Sequence, residues 1–294
     1  MYQIVFSFLY LVSLLPFRIL YLISDFAFLL LYYVIRYRRG VVLGNLKIAF
    51  PEKTELELNS IAKQSYKNFT DNFIETIKLL SISSKQVSER FEVDYSLLHE
   101  LFAAGKSVHI SLGHFYNWEI GNVAFSIGNP FHQEVVYMPI KNVVMERLFV
   151  HLRTRFGSGL IKATRFTREI VPFVRKQHCL ILVADQSAGA ADQSYWLPFF
   201  GKMAPFVVGP EKGAKLCNAA VVMGCIQRVK RGYYKASLTL LTTTPKETSD
   251  GVITRKLATY IEDCIRRQPA NYLWTHRRWK KEFDPEKHKH LVIS

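Results

Sequence analysis

Apolar positions run almost unbroken from Ile4 to Ile35, with charge only at Arg18 and Asp25. As one straight helix this stretch would reach about 48 Å, against roughly 30 Å of hydrocarbon in a bilayer. Pro16 has no amide hydrogen to donate, so the pattern predicts either a tilted span or a helix broken there and lying partly in the interface. No small-residue cleavage site follows; the next residues include Arg36, Arg38 and Arg39. Positive charge is retained on the cytoplasmic side, which predicts a membrane-anchoring segment over 1–38 and a cytoplasmic-facing α/β domain over 39–294.

Past residue 40 the periodicity changes. Ile61, Tyr66, Phe69, Phe73, Ile77 and Leu80 recur at helical spacing and predict a helix over 59–80. Short β-rich runs at 108–112, 134–138, 180–184 and 220–226 then alternate with helix-length segments at about 141–156, 166–176 and 209–218. The run 233–241 pairs back on 220–226 through Lys230–Gly232, and an amphipathic helix over about 252–267 precedes a basic tail. Strand–helix–strand alternation with one hairpin predicts an α/β fold: a mixed central sheet flanked by helices, preceded by a hydrophobic membrane helix.

Composition narrows the partners. The 294 residues are 49% apolar, which excludes global disorder, and carry a formal charge of +15, which calls for anionic company. Nucleic acid is a poor fit: there is no zinc spacing, RNP-like strand or dominant basic helix, and the apolar N-terminus would have no use. An anionic membrane surface uses both features. The four cysteines form no CxxC pair, so buried thiols are expected rather than a disulfide framework or a zinc ribbon. His178-Cys179 sits on a strand, where neighbours point to opposite faces, which argues against a cysteine nucleophile there. A GxSxG elbow and a P-loop are both missing.

The chemistry concentrates in Ser111-Leu-Gly-His-Phe-Tyr-Asn-Trp-Glu119, which leaves one predicted strand and opens a helix. Ligands of open α/β sheets bind at such strand exits. With His114 in the turn and Glu119 in the first helical turns, the carboxylate is expected to fold back onto Nδ1. That contact would leave Nε2 to take a proton from a substrate hydroxyl. The plain alternative is a polar pair capping the helix, since one such spacing is about what chance supplies.

Gly113–Glu119 resembles the HX4(D/E) box of the lysophospholipid acyltransferase superfamily, and more narrowly the GHFGNWE-type box of the late acyltransferases of lipid A biosynthesis. The resemblance covers nearly the whole chain. Arg39–Pro51 is similar to the family's segment after the membrane helix, and Leu182–Gln186 with Leu197–Gly201 to its central block. Tyr272–Lys280 is similar to its YMWxHRRFK signature. Tyr116 departs from the pattern, standing where a second glycine is usual.

The resemblance implies transfer of a fatty acyl chain from a thioester on acyl carrier protein or coenzyme A to a hydroxyl of a lipid A precursor. The site would lie at the cytoplasmic face of the inner membrane. His114 would be the general base and Glu119 its orienter, with no cofactor and no metal required. A basic residue after the box is also implied; Arg155 is preferred over Arg153, and both can instead be solvated helix charges. Asp185 and Gln186 end a strand and either position the acceptor or hold the loop 195–201. Asn117, within the box, is a further substrate-binding candidate. Arg277 and Arg278 would meet lipid phosphates or an acidic carrier, or Trp274 and Trp279 simply pack the tail. The remaining alternatives are another acceptor (a lysophospholipid, an aminolipid or a pigment alcohol) and a non-catalytic lipid-binding module.

Overall fold

The computed structural model describes residues 1–293. The apolar N-terminus forms two helices, α1 (Tyr2–Leu14) and α2 (Phe17–Leu29), the latter continued by a π-turn over Leu30–Val34. The break falls at Leu15 and Pro16, both with extended backbone angles, so the broken-helix alternative is the one found. Phe17–Val34 is long and apolar enough to cross a membrane. It does not stand free, however. Along one side α2 lies on α4 (Glu55–Lys78), with the Ser24 hydroxyl donating to Asp71 at 2.7 Å. Asp25 pairs with Arg231, which also reaches Asp71, so the lone acid of the apolar run has a cationic partner at the protein surface. Leu22 and Phe26 of α2 remain exposed, as do Ile4, Phe8 and Leu11 of α1.

Helix α3 (Arg39–Ala49) leads into α4, whose start is set by a capping box between Thr54 and Glu57. Then come α5 (Ser84–Arg90), β1 (Phe91–Val93), α6 (Ser96–Ala103), β2 (Val108–Leu112), α7 (Trp118–Gly128), β3 (Gln133–Tyr137), α8 (Val143–Thr154) and β4 (Gly159–Lys162). The segment predicted as one helix over 166–176 is two single turns, α9 (Phe166–Glu169) and α10 (Val171–Val174). Pro172 lacks the amide that a continuous helix would need there. The chain continues with β5 (Cys179–Val183), β6 (Ser194–Phe199), β7 (Lys202–Val207), α11 (Gly209–Cys217), β8 (Ala220–Lys230), β9 (Tyr233–Thr242), α12 (Val252–Arg267) and α13 (Pro285–His288).

Seven strands form one sheet in the order β1-β9-β8-β2-β5-β3-β4, parallel throughout except for the antiparallel β8–β9 hairpin. The mixed sheet expected from the alternating pattern is therefore present. Strand β2 is central and all five of its residues are buried, the polar His109 and Ser111 included. Helix α12 covers the sheet with Ile253, Leu257, Ile261 and Ile265, one stripe at four-residue spacing. The stretch 195–201, expected as a loop, is instead most of β6 and its turn into β7. That two-residue turn holds Phe200 and Gly201 at φ of 51° and 73°, the left-handed geometry a tight hairpin requires.

Candidate active site

Strands β2 and β5 are parallel neighbours in the register Leu112↔Val183, and Ala184 N–H continues the ladder by donating to Leu112 O at 3.1 Å. The residues that follow each strand therefore emerge side by side at the carboxyl edge. His114 leaves β2 and Asp185 leaves β5, and the two meet. The imidazole Nδ1 is 2.5 Å from Asp185 Oδ1, and the His114 backbone N–H donates to Oδ2 at 3.1 Å. Asp185 is fully buried, which pushes its carboxyl up. The His114 imidazole and hydrogen bonds from His114 and Tyr272 outweigh that and hold it at about 2. A carboxylate at Nδ1 fixes the tautomer with hydrogen on Nδ1 and the lone pair on Nε2. That lone pair faces the Gln186 side-chain amide at 3.1 Å.

The carboxylate at Nδ1 is thus Asp185 and not Glu119, which corrects the fold-back expected of the HX4E spacing. Once α7 begins at Trp118, Glu119 projects onto α8, where Arg153 donates to it twice, from Nε at 3.0 Å and from Nη2 at 2.6 Å. The Trp118 indole N–H adds a third bond at 3.1 Å. Arg153 loses water through burial, yet the Glu119 charge beside it more than compensates and raises its affinity for the proton.

Arg155, the arginine preferred from sequence, points elsewhere. Its Nη1 donates to the carbonyls of Leu79 and Ile82, at 2.5 and 2.8 Å, closing the end of α4. Asn117 is fully buried and also structural: its amide donates to Glu75 and its carbonyl oxygen accepts from Ile120 N–H, capping α7. Arg277 is exposed at the surface. Arg278 is only 1% exposed and stacks over Phe206 and Phe199, its guanidinium carbon 4.2 and 5.2 Å from the ring centres. Neither that packing nor its burial leaves it facing a lipid phosphate.

A cavity of about 420 Å³ opens beside the imidazole, lined by His114, Glu119, Arg153 and Gln186 and otherwise mainly by apolar side chains such as Ile110, Leu112, Val135 and Ile226. This falls in the size range of sites for small organic groups. A larger depression of about 560 Å³ near His132, Glu134 and Lys176 contains none of these residues.

The four sequence blocks converge here. Asn45, from the segment after the membrane helices, donates to the carbonyls of Trp274 and His276. Leu273 N–H donates to His114 O at 3.2 Å, and Tyr116 N–H to Asn271 O at 3.2 Å, so the C-terminal signature is laced to the histidine loop. His276 accepts from Ser187 N–H, just past Asp185. The Tyr272 hydroxyl, within the C-terminal signature, supports Asp185, a role that sequence alone does not reveal.

The site thus holds an imidazole braced by a buried carboxylate on one side and bordering a mainly apolar cleft on the other. The family model for bacterial lipid A biosynthesis acyltransferases matches residues 1–281, and the chain belongs to that family. It is 23% identical over 275 residues to the lipid A biosynthesis acyltransferase of Haemophilus influenzae, covering 91% of this chain and 83% of the relative. Over 250 residues it is 23% identical to the lipid A biosynthesis palmitoleoyltransferase of Escherichia coli, covering 84% and 80%. Against the lipid A biosynthesis lauroyltransferase of the same organism it is 22% identical over 276 residues, covering 92% and 89%.

Proposed function

We propose that this enzyme moves a fatty acyl chain from an acyl carrier protein or coenzyme A thioester to a hydroxyl of a lipid A precursor, with His114 as general base. The observation that carries this reading is the position of His114: Nδ1 is held by a buried carboxylate while the ring borders the apolar cavity. The acceptor hydroxyl replaces the Gln186 amide at Nε2 and attacks the thioester carbonyl. Its proton passes to Nε2, the O–C bond forms, and on collapse the C–S bond breaks and the thiolate takes the proton from the imidazolium. Arg153, held on the cavity wall by Glu119, supplies positive charge near the oxyanion. In this reading Glu119 is a positioning residue, and Asp185 takes the orienting role.

The membrane assignment rests on α1 and α2. A lone span would place Asp25 about midway along Phe17–Val34, deep in hydrocarbon, where an acid is costly. Docked on α4 it stays paired with Arg231, while the exposed apolar side dips into the lipid. We therefore read residues 1–38 as an interfacial anchor on the cytoplasmic leaflet, with the net charge of +15 favouring its anionic surface and an acidic carrier.

The test supplies the purified full-length protein in vesicles with acyl carrier protein and coenzyme A thioesters and a lipid A precursor. Transfer by the wild type, abolished in His114→Ala with folding and vesicle association intact, is the expected result. Transfer that persists in the variant overturns the base assignment, and transfer to no lipid overturns the acceptor. The acylated species missing from the lipids of a deletion strain identifies the acceptor.

A further inference from the structure

At the opposite end of the sheet three donor side chains meet that the transfer chemistry does not use. His109 is the second residue of β2, His178 immediately precedes β5, and Cys217 closes α11. His109 lies five residues before His114, about 16 Å along an extended strand. The parallel β2–β5 register, Val108↔Cys179, brings the two rings together, and both histidines are buried. Their Nε2 atoms are 3.3 Å apart, and the three candidate ligand atoms all lie within 4.8 Å of one another. The cysteine that approaches is thus Cys217 from another element, and not the adjacent Cys179.

Two features of this trio match a metal site. Two Zn–N bonds of about 2.0–2.1 Å at the tetrahedral angle place their nitrogens about 3.3 Å apart, the spacing seen. His178 Nδ1 donates to Lys176 O at 2.9 Å, which leaves the lone pair on Nε2, facing inward. Metal-bound histidines are oriented by just such a bond from the other ring nitrogen. Burial also keeps His109 neutral, with its pKa pushed down to about 3, and lowers that of His178. An N–H···N bond from His109 to His178 explains the ring pair, but it gives the neighbouring thiol no part.

We propose that His109, His178 and Cys217 bind one Zn²⁺, which clips together β2, the approach to β5 and the end of α11, with a fourth coordination position open to water. Binding would displace the thiol proton of Cys217 to solvent. The site's neutral nitrogens and single thiolate suit zinc over magnesium or calcium, which prefer oxygen.

The experiment titrates chelator-treated, full-length protein in detergent with Co²⁺ as a spectroscopic stand-in, then with Zn²⁺ in competition. Expected are one Co²⁺ per chain, a sulfur-to-cobalt charge-transfer band that Cys217→Ser removes, and affinity lowered about tenfold or more by His178→Gln. Zn²⁺ should raise the Tm of the wild type and not that of Cys217→Ser. The proposal is overturned if no metal binds at one per chain, or if the band survives in Cys217→Ser, which would place the metal on other thiols. Neither readout depends on acyl transfer.

Discussion

His114 Nδ1 sits 2.5 Å from Asp185 Oδ1, although the two residues are 71 positions apart in the chain, while Glu119, five positions from His114, binds Arg153 instead. Orientation of the imidazole therefore belongs to the end of β5. If this carboxylate sets the tautomer, Asp185→Asn should leave the protein folded and lower kcat by about 10³–10⁴, as the loss of an orienting acid does in other histidine bases. Steady-state transfer, with near-ultraviolet circular dichroism as the folding control, checks it. A loss below tenfold would return the orienting role to another group.

Glu119 and Arg153 are both largely buried, with side chains 4% and 17% exposed. Removing one partner strands the other charge, so Glu119→Gln should cost about 3 kcal/mol of stability as well as activity. In Glu119→Gln/Arg153→Gln the stability loss should be smaller than the sum of the two single losses, because no charge is then left unpaired. Urea unfolding of the four proteins measures the coupling, and strict additivity would mean that the pair acts independently.

The cavity wall should select the acyl chain. Gly224 faces the same side of the sheet as Ile110 and Leu112, and a Cβ there would stand 3.5 Å from both, an ordinary contact. Gly224→Ala should therefore fold normally while shrinking the cavity. We expect kcat/KM for the longest accepted chain to fall roughly tenfold relative to shorter ones. Competition among donors of different length, read by mass spectrometry of the product, decides it; an unchanged preference would place the chain elsewhere.

His276 gives a pH signature. Burial lowers its pKa from 6.5 to about 4 in the folded protein, where it accepts a hydrogen bond from Ser187 N–H. Between those values the unfolded chain takes up a proton that the folded one refuses, so this group makes stability fall as pH drops from about 6.5 to about 4. His276→Gln keeps an acceptor for Ser187 and removes the titration. Its Tm should fall less steeply over that range than the wild type's; parallel curves would mean that the residue titrates alike in both states.

Much of the architecture was readable because it follows local rules. The apolar residues of β2 alternate at 108, 110 and 112 and the stripe of α12 repeats at helical spacing, so periodicity predicts both. Short β1 and β4, and the proline-containing β6 and β7, carry too little pattern to register. Arg153 and Arg155 differ by two positions and so point to different sides of the chain; only the packing of α8 against α7 shows which one faces Glu119.

By itself the sequence determined the α/β class, the motif-bearing turn with His114, and the family, since each is written in neighbouring residues or in the order of blocks along the chain; at Pro16 it left a tilted span and a broken helix both open, and the structure chose the break. Tertiary structure alone decided the partners: Asp185 for His114, Arg153 for Glu119, Arg231 for Asp25. The reason is physical. Strand order and register bring distant residues to one sheet edge, and burial compels each charge to find whichever opposite group the packing delivers. Neither constraint leaves a trace in sequence spacing.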